Sequence, residues 1–360
     1  MTMRLRIIWV GIVVVALGWS GITRAQNPPA TQPVDTRAGR GARGGRNARP
    51  PGPIALADIR IRDICILADD ASKTYYMVGP GRGGIVQYTS KDLAIWDGPR
   101  QVYTTPQRVW GDIQVGGIWA PEIHKYKDKY YLFFTYDTRT PLDDLNPPTK
   151  PPLSQRPLVH RGSTIAVCDV PTGPFSPVIN RSIPPTDWMT LDGTLYVEDG
   201  QPYMIFAHEW VQITVGTINA IKLKEDLTGP AGEPFLLFKS SDAPWAKVQV
   251  EGGTVTDGPY FYKGKSGKLF MVWSSFDSQE RYNVGLAISD SGKLAGPWRH
   301  EPQALFVDNG GHPMLFKTFE GELMLLFHQP NNDPMNRPRI FEVEDTGDTL
   351  KMGKEFTGTP

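Results

Sequence analysis

The stretch DKYYLFFTYD at residues 128–137 places a charged turn directly before an unbroken run of aromatic and aliphatic residues, and this phrase recurs along the chain. Its other copies are SKTYYMVG (72–79), DGQPYMIFAHEW (199–210), SGKLFMVWSSFD (266–277) and EGELMLLFHQPN (320–331). A second phrase with a Gly-Pro turn often follows, as in DLAIWDGP (92–99), DVPTGPF (169–175), DLTGP (226–230) and KLAGPW (293–298). Strand pairs repeated at this spacing are typical of propeller blades with four strands each. The sequence therefore predicts an all-β fold, a five-bladed β-propeller over residues 54–360.

The first 53 residues differ from this pattern and divide into two segments. A positively charged start, an apolar run over 7–17 and small residues up to Ala25 predict a signal peptide over residues 1–25. The run is short for a membrane span, so we expect export to the periplasm or the medium, with no stable membrane insertion after signal removal. Residues 26–53 are rich in Pro, Gly and Arg and predict a disordered linker. A solvated spacer is favoured over a segment that binds anionic polymers.

Charge and composition narrow the partners of the folded part. Residues 1–53 hold eight Arg and one Asp, which leaves 30 basic and 37 acidic residues in the remainder. A mildly acidic domain gives no reason to expect nucleic acid as a partner. The 10 Trp, 13 Tyr and 15 Phe suit both a β-rich core and platforms that stack on sugar rings.

Polar residues interrupt the first, axis-lining strand of four predicted blades. They are Asp63 in IRDICIL, Asp192 in LDGTLY, Asp257 in TDGPYF and His312 in GGHPMLF. A charge within an apolar strand is costly unless it is paired, bound or solvated in a site. Because inner strands converge on the axis, we expect the three aspartates, at equivalent blade positions, to share one site.

The segments around these residues resemble glycoside hydrolase family 43, a family of five-bladed propellers, over residues 57–345. The matching phrases are RDICIL (62–67), IWAPEIHKYKDKYYLFFTYD (118–137), LDGTLYVEDGQPYMIF (191–206), DGPYFYKGKSGKLFMVWSS (257–275) and GGHPMLFKTFEGELMLLFH (311–328). The resemblance implies an inverting hydrolase in which one carboxylate activates water and another protonates the leaving oxygen. In such enzymes the two groups stand roughly 6.5–9.5 Å apart to admit the water.

Carried over by position, the resemblance implies that Asp63 is the general base and that Asp192 raises the pKa of the acid and holds it in place. Asp257 occupies the general-acid position, where the family usually has Glu-Gly-Pro and this chain has Asp-Gly-Pro. Three interpretations stay open. Asp257 is the acid in a shifted pocket, or Glu209, Glu251 or Glu122 supplies the proton, or the protein binds sugar without cleaving it.

The resemblance also implies supporting roles for several residues. Trp119 in the WAPE phrase matches the aromatic wall of the sugar subsite, with a core Trp as the alternative. His312 matches a histidine at the propeller centre that contacts a water-ligated calcium, so a structural calcium near His312 is expected although no cofactor is required. We further expect substrate contacts from Glu122, His208, Glu209 and Arg337, the last of which alternatively closes the ring by ion pairing.

The predicted function is therefore an exported, inverting glycoside hydrolase that releases terminal sugars from polysaccharide side chains. The family resemblance favours α-L-arabinofuranose over β-xylosides and galactofuranosides. The alternative from another class is a carbohydrate-binding propeller without catalytic activity.

Overall fold

The structure is a computed structural model and describes residues 52–142, 156–247 and 251–358. The predicted signal peptide and all but the last two residues of the predicted linker lie outside the described residues. Within the described ranges no helix is both long enough and apolar enough to span a bilayer.

Five antiparallel sheets follow one another along the chain, one for each copy of the repeated phrase. The first consists of β1 (Ile54–Ala55), β2 (Cys65–Asp69), β3 (Thr74–Gly81), β4 (Gly84–Ser90) and β5 (Ile95–Thr104). The second consists of β6 (Arg108–Val109), β7 (Ile113–Tyr126), β8 (Lys129–Thr138), β9 (Gly162–Cys168) and β10 (Ser176–Pro177). The third consists of β11 (Thr190–Glu198), β12 (Gln201–His208), β13 (Thr217–Lys222) and β14 (Phe235–Lys239).

The last two sheets have four strands each. They are β15 (Asp257–Lys263), β16 (Leu269–Phe276), β17 (Tyr282–Ser289) and β18 (Trp298–His300), then β19 (Gly311–Lys317), β20 (Leu323–Gln329), β21 (Arg337–Asp345) and β22 (Leu350–Glu355). Helical structure in the described residues is limited to the 3₁₀ turns Leu56–Asp58 and Ser240–Asp242 and to α1 (Trp210–Ile213). The predicted all-β fold is confirmed.

The innermost strands form a closed ring. Strand β2 contacts β7, β7 contacts β11, β11 contacts β15, β15 contacts β19, and β19 returns to β2. Each repeated phrase supplies the second strand of its blade, and its large apolar residues pack between neighbouring blades. Trp273, Phe133, Phe206 and Phe270 are among the fully buried side chains. Burial of such rings contributes about 1.5–3 kcal/mol each. The predicted five-bladed propeller is therefore confirmed.

One backbone feature repeats in all five blades and positions the site. Each inner strand has one residue in the left-handed region, either within the strand or two residues before it. These residues are Asp63, Ala120, Asp192, Gly258 and His312 (φ 44–57°). In four blades the inner strand's pairing shifts register at this residue, as a β-bulge does. A left-handed conformation costs a residue other than glycine about 1 kcal/mol or more. Four of the five positions carry that cost, and three of these four are the polar residues Asp63, Asp192 and His312.

Candidate active site

A cavity of about 500 Å³ opens at the propeller axis beside the five left-handed residues. Every blade contributes to its lining, through Asp63, Trp119, Asp192, Asp257 and His312 in chain order. The volume lies in the range of small-molecule sites. The three aspartates predicted from the sequence are therefore brought together in one cavity.

Asp63 is surrounded by positive and hydrogen-bonding groups. Arg62 Nε donates to its Oδ2 at 2.9 Å, and its own backbone N–H donates to His328 Nδ1 at 3.3 Å. Burial alone would raise the pKa of Asp63, but the adjacent His312, Arg62 and His328 offset it, and the net pKa lies below the ordinary value. Asp63 is therefore ionised at neutral pH, as a general base must be.

His328 reaches Asp63 as a neutral ring. Burial lowers the pKa of His328 to about 4. Since Nδ1 accepts the Asp63 N–H, the ring proton resides on Nε2, which donates to Asn331 Oδ1 at 3.2 Å. The ring therefore fixes the backbone of Asp63 without adding a charge at neutral pH.

Asp192 connects the base to the acid through two contacts. His312 Nδ1 lies 3.7 Å from Asp63 Oδ1 and 3.6 Å from Asp192 Oδ2. The same Asp192 Oδ2 accepts the backbone N–H of Gly258 at 2.8 Å and so fixes the residue next to Asp257. Burial, followed by the charge of Asp257, raises the pKa of Asp192 well above its ordinary value.

Asp257 has the surroundings of a proton donor. Burial raises the pKa of Asp257 to about 7; Tyr282 Oη, which donates to Asp257 Oδ2 at 3.1 Å, acts in the opposite direction. A carboxyl group with this pKa retains a proton near neutral pH, which a general acid requires. The cavity thus combines an ionised carboxylate with a protonated one.

The prediction that the three aspartates occupy equivalent positions is wrong for Asp257. Asp63 and Asp192 are themselves the left-handed residues of their blades, whereas in blade 4 that residue is Gly258 and Asp257 precedes it. In blade 2 the residue at the position of Asp257 is Trp119, before Ala120. Aspartate tolerates the left-handed region better than most residues, but Asp257 does not adopt it, because Gly258 is the left-handed residue of its strand. The acid therefore approaches the cavity from a different backbone position than the base.

Trp119 forms an aromatic wall of the cavity. Its side chain is 37% exposed, and the Arg161 guanidinium lies 4.2 Å from its ring centroid. Arg161 is itself held by Asp137, at 2.6 Å, and by Glu209. Glu209 also lines the cavity, and burial raises its pKa. The Trp119 ring thus packs against a buried ion network, and its exposed part lines the cavity.

Glu122, predicted to contact substrate, does not line the cavity. It lies two residues beyond the bulge at Ala120 and is buried, with its Oε2 2.7 Å from His124 Nε2. The ring of His124 stacks on Tyr260, 6.1 Å between centroids. The bulge explains the error, because it changes which side chains of the strand point toward the opening.

His208 and Arg337 are also kept from the cavity by local partners. His208 Nε2 is 2.7 Å from Gln212 Oε1, and its ring stacks on Trp188 at 4.2 Å. Arg337 Nη1 donates to the carbonyl oxygens of Met335 and Asn336, at 2.8 and 3.4 Å. Arg337 does not line the cavity and forms no ion pair among the described residues, so its predicted substrate contact stays a prediction.

Arg62, Tyr282 and His328 are the functional residues that sequence reasoning missed. Arg62 stands directly before the predicted base, so its proximity was readable from the chain. Tyr282 and His328 contact residues 25 and 265 positions away, in other strands. Nothing in the sequence indicates those contacts, because they depend on how the strands pack around the axis.

The calcium predicted near His312 stays a prediction. Within residues 52–142, 156–247 and 251–358, no three or more His, Cys, Asp or Glu side chains are arranged to hold a metal ion. Nδ1 of His312 lies beside two carboxylates, and burial lowers the pKa of the ring. The side chains described there do not by themselves form the oxygen shell that calcium prefers.

A propeller whose axial cavity holds one ionised and one protonated carboxyl group, beside an aromatic wall, belongs to the class of glycoside hydrolases. Comparison with known proteins gives the family. The chain belongs to glycosyl hydrolases family 43, whose family model matches residues 57–345.

The relatives include enzymes named for arabinose-containing substrates. The endo-arabinase of Bacteroides thetaiotaomicron is 38% identical with a TM-score of 0.70, covering 81% of this chain and 96% of that one. The extracellular exo-α-(1→5)-L-arabinofuranosidase ArbA of Cellvibrio japonicus is 24% identical over 269 residues, 68% of either chain. The α-L-arabinofuranosidase B of Pyricularia oryzae is 27% identical over 206 residues, and the match spans 54% of this chain but only 37% of that protein.

Proposed function

We propose that this chain is an inverting glycoside hydrolase that releases terminal α-L-arabinofuranose from arabinose-containing polysaccharides. The single observation that carries the proposal is the opposite protonation of two carboxyl groups in one cavity. The pKa of Asp63 is held down and that of Asp257 is raised to about 7. The choice of sugar is supported by the names of the relatives, one an endo-arabinase and two arabinofuranosidases.

The reaction divides between these two groups. Ionised Asp63 takes a proton from a water molecule as that water attacks the anomeric carbon of the bound sugar. Asp257 gives its proton to the leaving glycosidic oxygen, so the bond to the anomeric carbon breaks as the new C–O bond forms. Asp192 keeps the backbone beside the acid in place through its bond with the Gly258 N–H. Trp119 supplies a stacking surface for the sugar ring.

Glu209 is a second candidate for the acid, since it lines the cavity wall and burial raises its pKa. Its carboxylate is however engaged by Arg161, which favours the ionised form. Glu251 and Glu122 lie outside the cavity lining. These contacts support Asp257 as the donor.

Export is part of the same proposal. It is supported by the predicted signal peptide over residues 1–25 and by the word extracellular in the names of the Cellvibrio and Streptomyces chartreusis relatives. Polysaccharide is too large to enter the cell, so an enzyme that cleaves it must act in the periplasm or in the medium.

The test is a substrate screen with the purified protein. The 4-nitrophenyl glycosides of α-L-arabinofuranose, β-D-xylose and β-D-galactofuranose are compared with linear and branched arabinan, and the anomer first released is followed by NMR. We expect cleavage of the arabinofuranoside and of arabinan with inversion. Preference for the xyloside or the galactofuranoside would contradict the assignment of arabinofuranose as the sugar released. Release with retention would overturn the inverting mechanism. Sugar binding without any release would support a binding module without catalytic activity.

A further inference from the structure

The connection between β8 and β9 begins and ends in a short antiparallel stem on the catalytic face. Pro141 pairs with Val159, and Leu142 N–H donates to the Leu158 carbonyl at 3.0 Å. The stem leaves the same end of blade 2 at which the inner strand carries Trp119, so it rises at the rim of the cavity.

The stem packs on the neighbouring two blades through an apolar cluster of its own. Leu142 and Val159 contact Trp210 and Val211, which follow β12 of blade 3, and Val255, which precedes β15 of blade 4. All five side chains are buried. Connections from blades 2, 3 and 4 therefore meet at one point instead of standing as separate loops.

A polar bridge lies over this cluster. Arg156 Nε is 2.9 and 3.2 Å from the two carboxylate oxygens of Glu251, and the Arg156 guanidinium lies 5.1 Å from the Trp210 ring centroid. Arg156 and Trp210 both line the cavity. Arg156 is thus in contact with both the Glu251 carboxylate and the Trp210 ring. We call the side chains of Arg156, Trp210 and Glu251 the rim wall.

The backbone shows how tightly the rim wall is assembled. A Cβ on Gly253 would lie 2.2 Å from Cε3 of Trp210, so the segment after Glu251 passes directly against the ring. Any side chain at position 253 would displace Trp210. The rim wall is therefore a packed structure spanning three blades.

We infer that the rim wall closes one end of the cavity and directs the enzyme to chain ends. A polymer cleaved at an internal bond must leave the cavity on two sides, whereas a chain end needs only one opening. With connections of three blades joined on one side, the sugar bound there is terminal. This inference rests on the proposed function and names Arg156 and Glu251 as determinants of where the substrate is cut.

The experiment compares product patterns from linear α-1,5-arabinan for the wild type, Arg156→Ala, Glu251→Gln and the control Arg299→Ala. Arg299 forms a similar pair with Asp290 at 2.7 Å on the outer strand of blade 4, away from the cavity. We expect the wild type and the control to release arabinose from the start of the reaction. The two rim-wall variants should raise the ratio of oligosaccharide to arabinose about tenfold.

Gly253→Ala tests the same wall through packing and should change the ratio in the same direction. Oligosaccharides as the main early products of the wild type would overturn the inference, as would unchanged ratios in Arg156→Ala and Glu251→Gln. Unchanged ratios in the variants leave the proposed function standing, because the wild type still releases arabinose. Oligosaccharides as the main early products of the wild type would also overturn the terminal release in the proposed function, although arabinan is still cleaved. If the wild type cleaves neither arabinan nor the aryl arabinofuranoside, the proposed function fails and the inference falls with it.

Discussion

The inner strands of blades 1 and 4 each have a left-handed residue near their start, yet they give carboxyl groups of opposite character. In blade 1 the carboxylate is on the left-handed residue itself, with Arg62 at 2.9 Å from it. In blade 4 the bulge residue is Gly258, and Asp257 stands one position earlier beside the neutral Tyr282 hydroxyl. The pKa is lowered in the first and raised to about 7 in the second.

The difference shows that a repeated fold can supply both partners of an acid–base pair without changing residue type. Both groups are buried, and burial alone raises the pKa of each. What separates them is the surrounding charges. His312, Arg62 and His328 lower the pKa of Asp63, whereas Asp63 and Glu209 raise that of Asp257 against the opposing effects of Tyr282 and Arg62.

The largest effect is expected from Asp63→Asn. Loss of the base should lower kcat by about 10³-fold or more on every substrate, because water must be activated whatever the leaving group. Asparagine tolerates the left-handed conformation at this position, so thermal unfolding should stay nearly unchanged. Steady-state kinetics measure the change in kcat, and calorimetry measures thermal unfolding. Full activity in this variant would overturn the assignment of the base.

Asp192→Asn should lower kcat by about 10²-fold. The amide oxygen can still accept the Gly258 N–H, but the carboxyl group beside Asp257 and His312 is lost. Because burial and the charge of Asp257 raise the pKa of Asp192 well above its ordinary value, Asp192 is protonated at neutral pH, and the change removes no negative charge. The alkaline limb of the kcat/KM profile should therefore stay in place, and a limb that moves to lower pH would show that an ionised Asp192 raises the pKa of Asp257.

Arg62→Gln should move the acid limb of the kcat/KM profile, which reports the pKa of Asp63. Without the guanidinium the pKa of Asp63 rises, so the acid limb of kcat/KM should shift up by about 1 pH unit. Arg62→Lys keeps the charge and serves as the comparison, with a smaller shift. Equal profiles in wild type and Arg62→Gln would show that Arg62 does not hold the base ionised.

Tyr282→Phe should give the smallest change. The hydroxyl stabilises the ionised form of Asp257, so its removal should raise that pKa and extend activity to higher pH by less than about 1 unit. Tyr262→Phe removes a comparable bond, at 3.3 Å to Asp345, outside the cavity and is the matched control. A shift to lower pH in Tyr282→Phe would contradict the role of Asp257 as the acid beside this hydroxyl.

Much of this architecture could be predicted from the sequence because a propeller repeats its signal. The five phrases gave the blades, and polar residues within apolar strands led to Asp63, Asp192, Asp257 and His312. The offset of Asp257 was also readable, since Pro121, Pro259 and Pro313 each follow a bulge residue. Aligning these prolines places Gly258, not Asp257, at the position of His312.

Contacts between distant strands could not be predicted in this way. Glu122 is rotated from the opening by its bulge, and His208 is held by Gln212 on the following helix. Tyr282 and His328 reach the site only because β17 and β20 pack beside the inner strands. A pattern along one strand reports which face is buried but not which partner that face meets.

The measurement that tests the central claim most directly is the leaving-group dependence of Asp257→Asn and Asp63→Asn. Both variants are assayed on aryl α-L-arabinofuranosides whose phenols span a wide range of pKa. A missing acid should matter least for the best leaving groups, so Asp257→Asn should recover most of its activity there and show a steep dependence. Asp63→Asn should stay inactive throughout. Equal losses for both variants across the series would contradict the division of base and acid between these two aspartates.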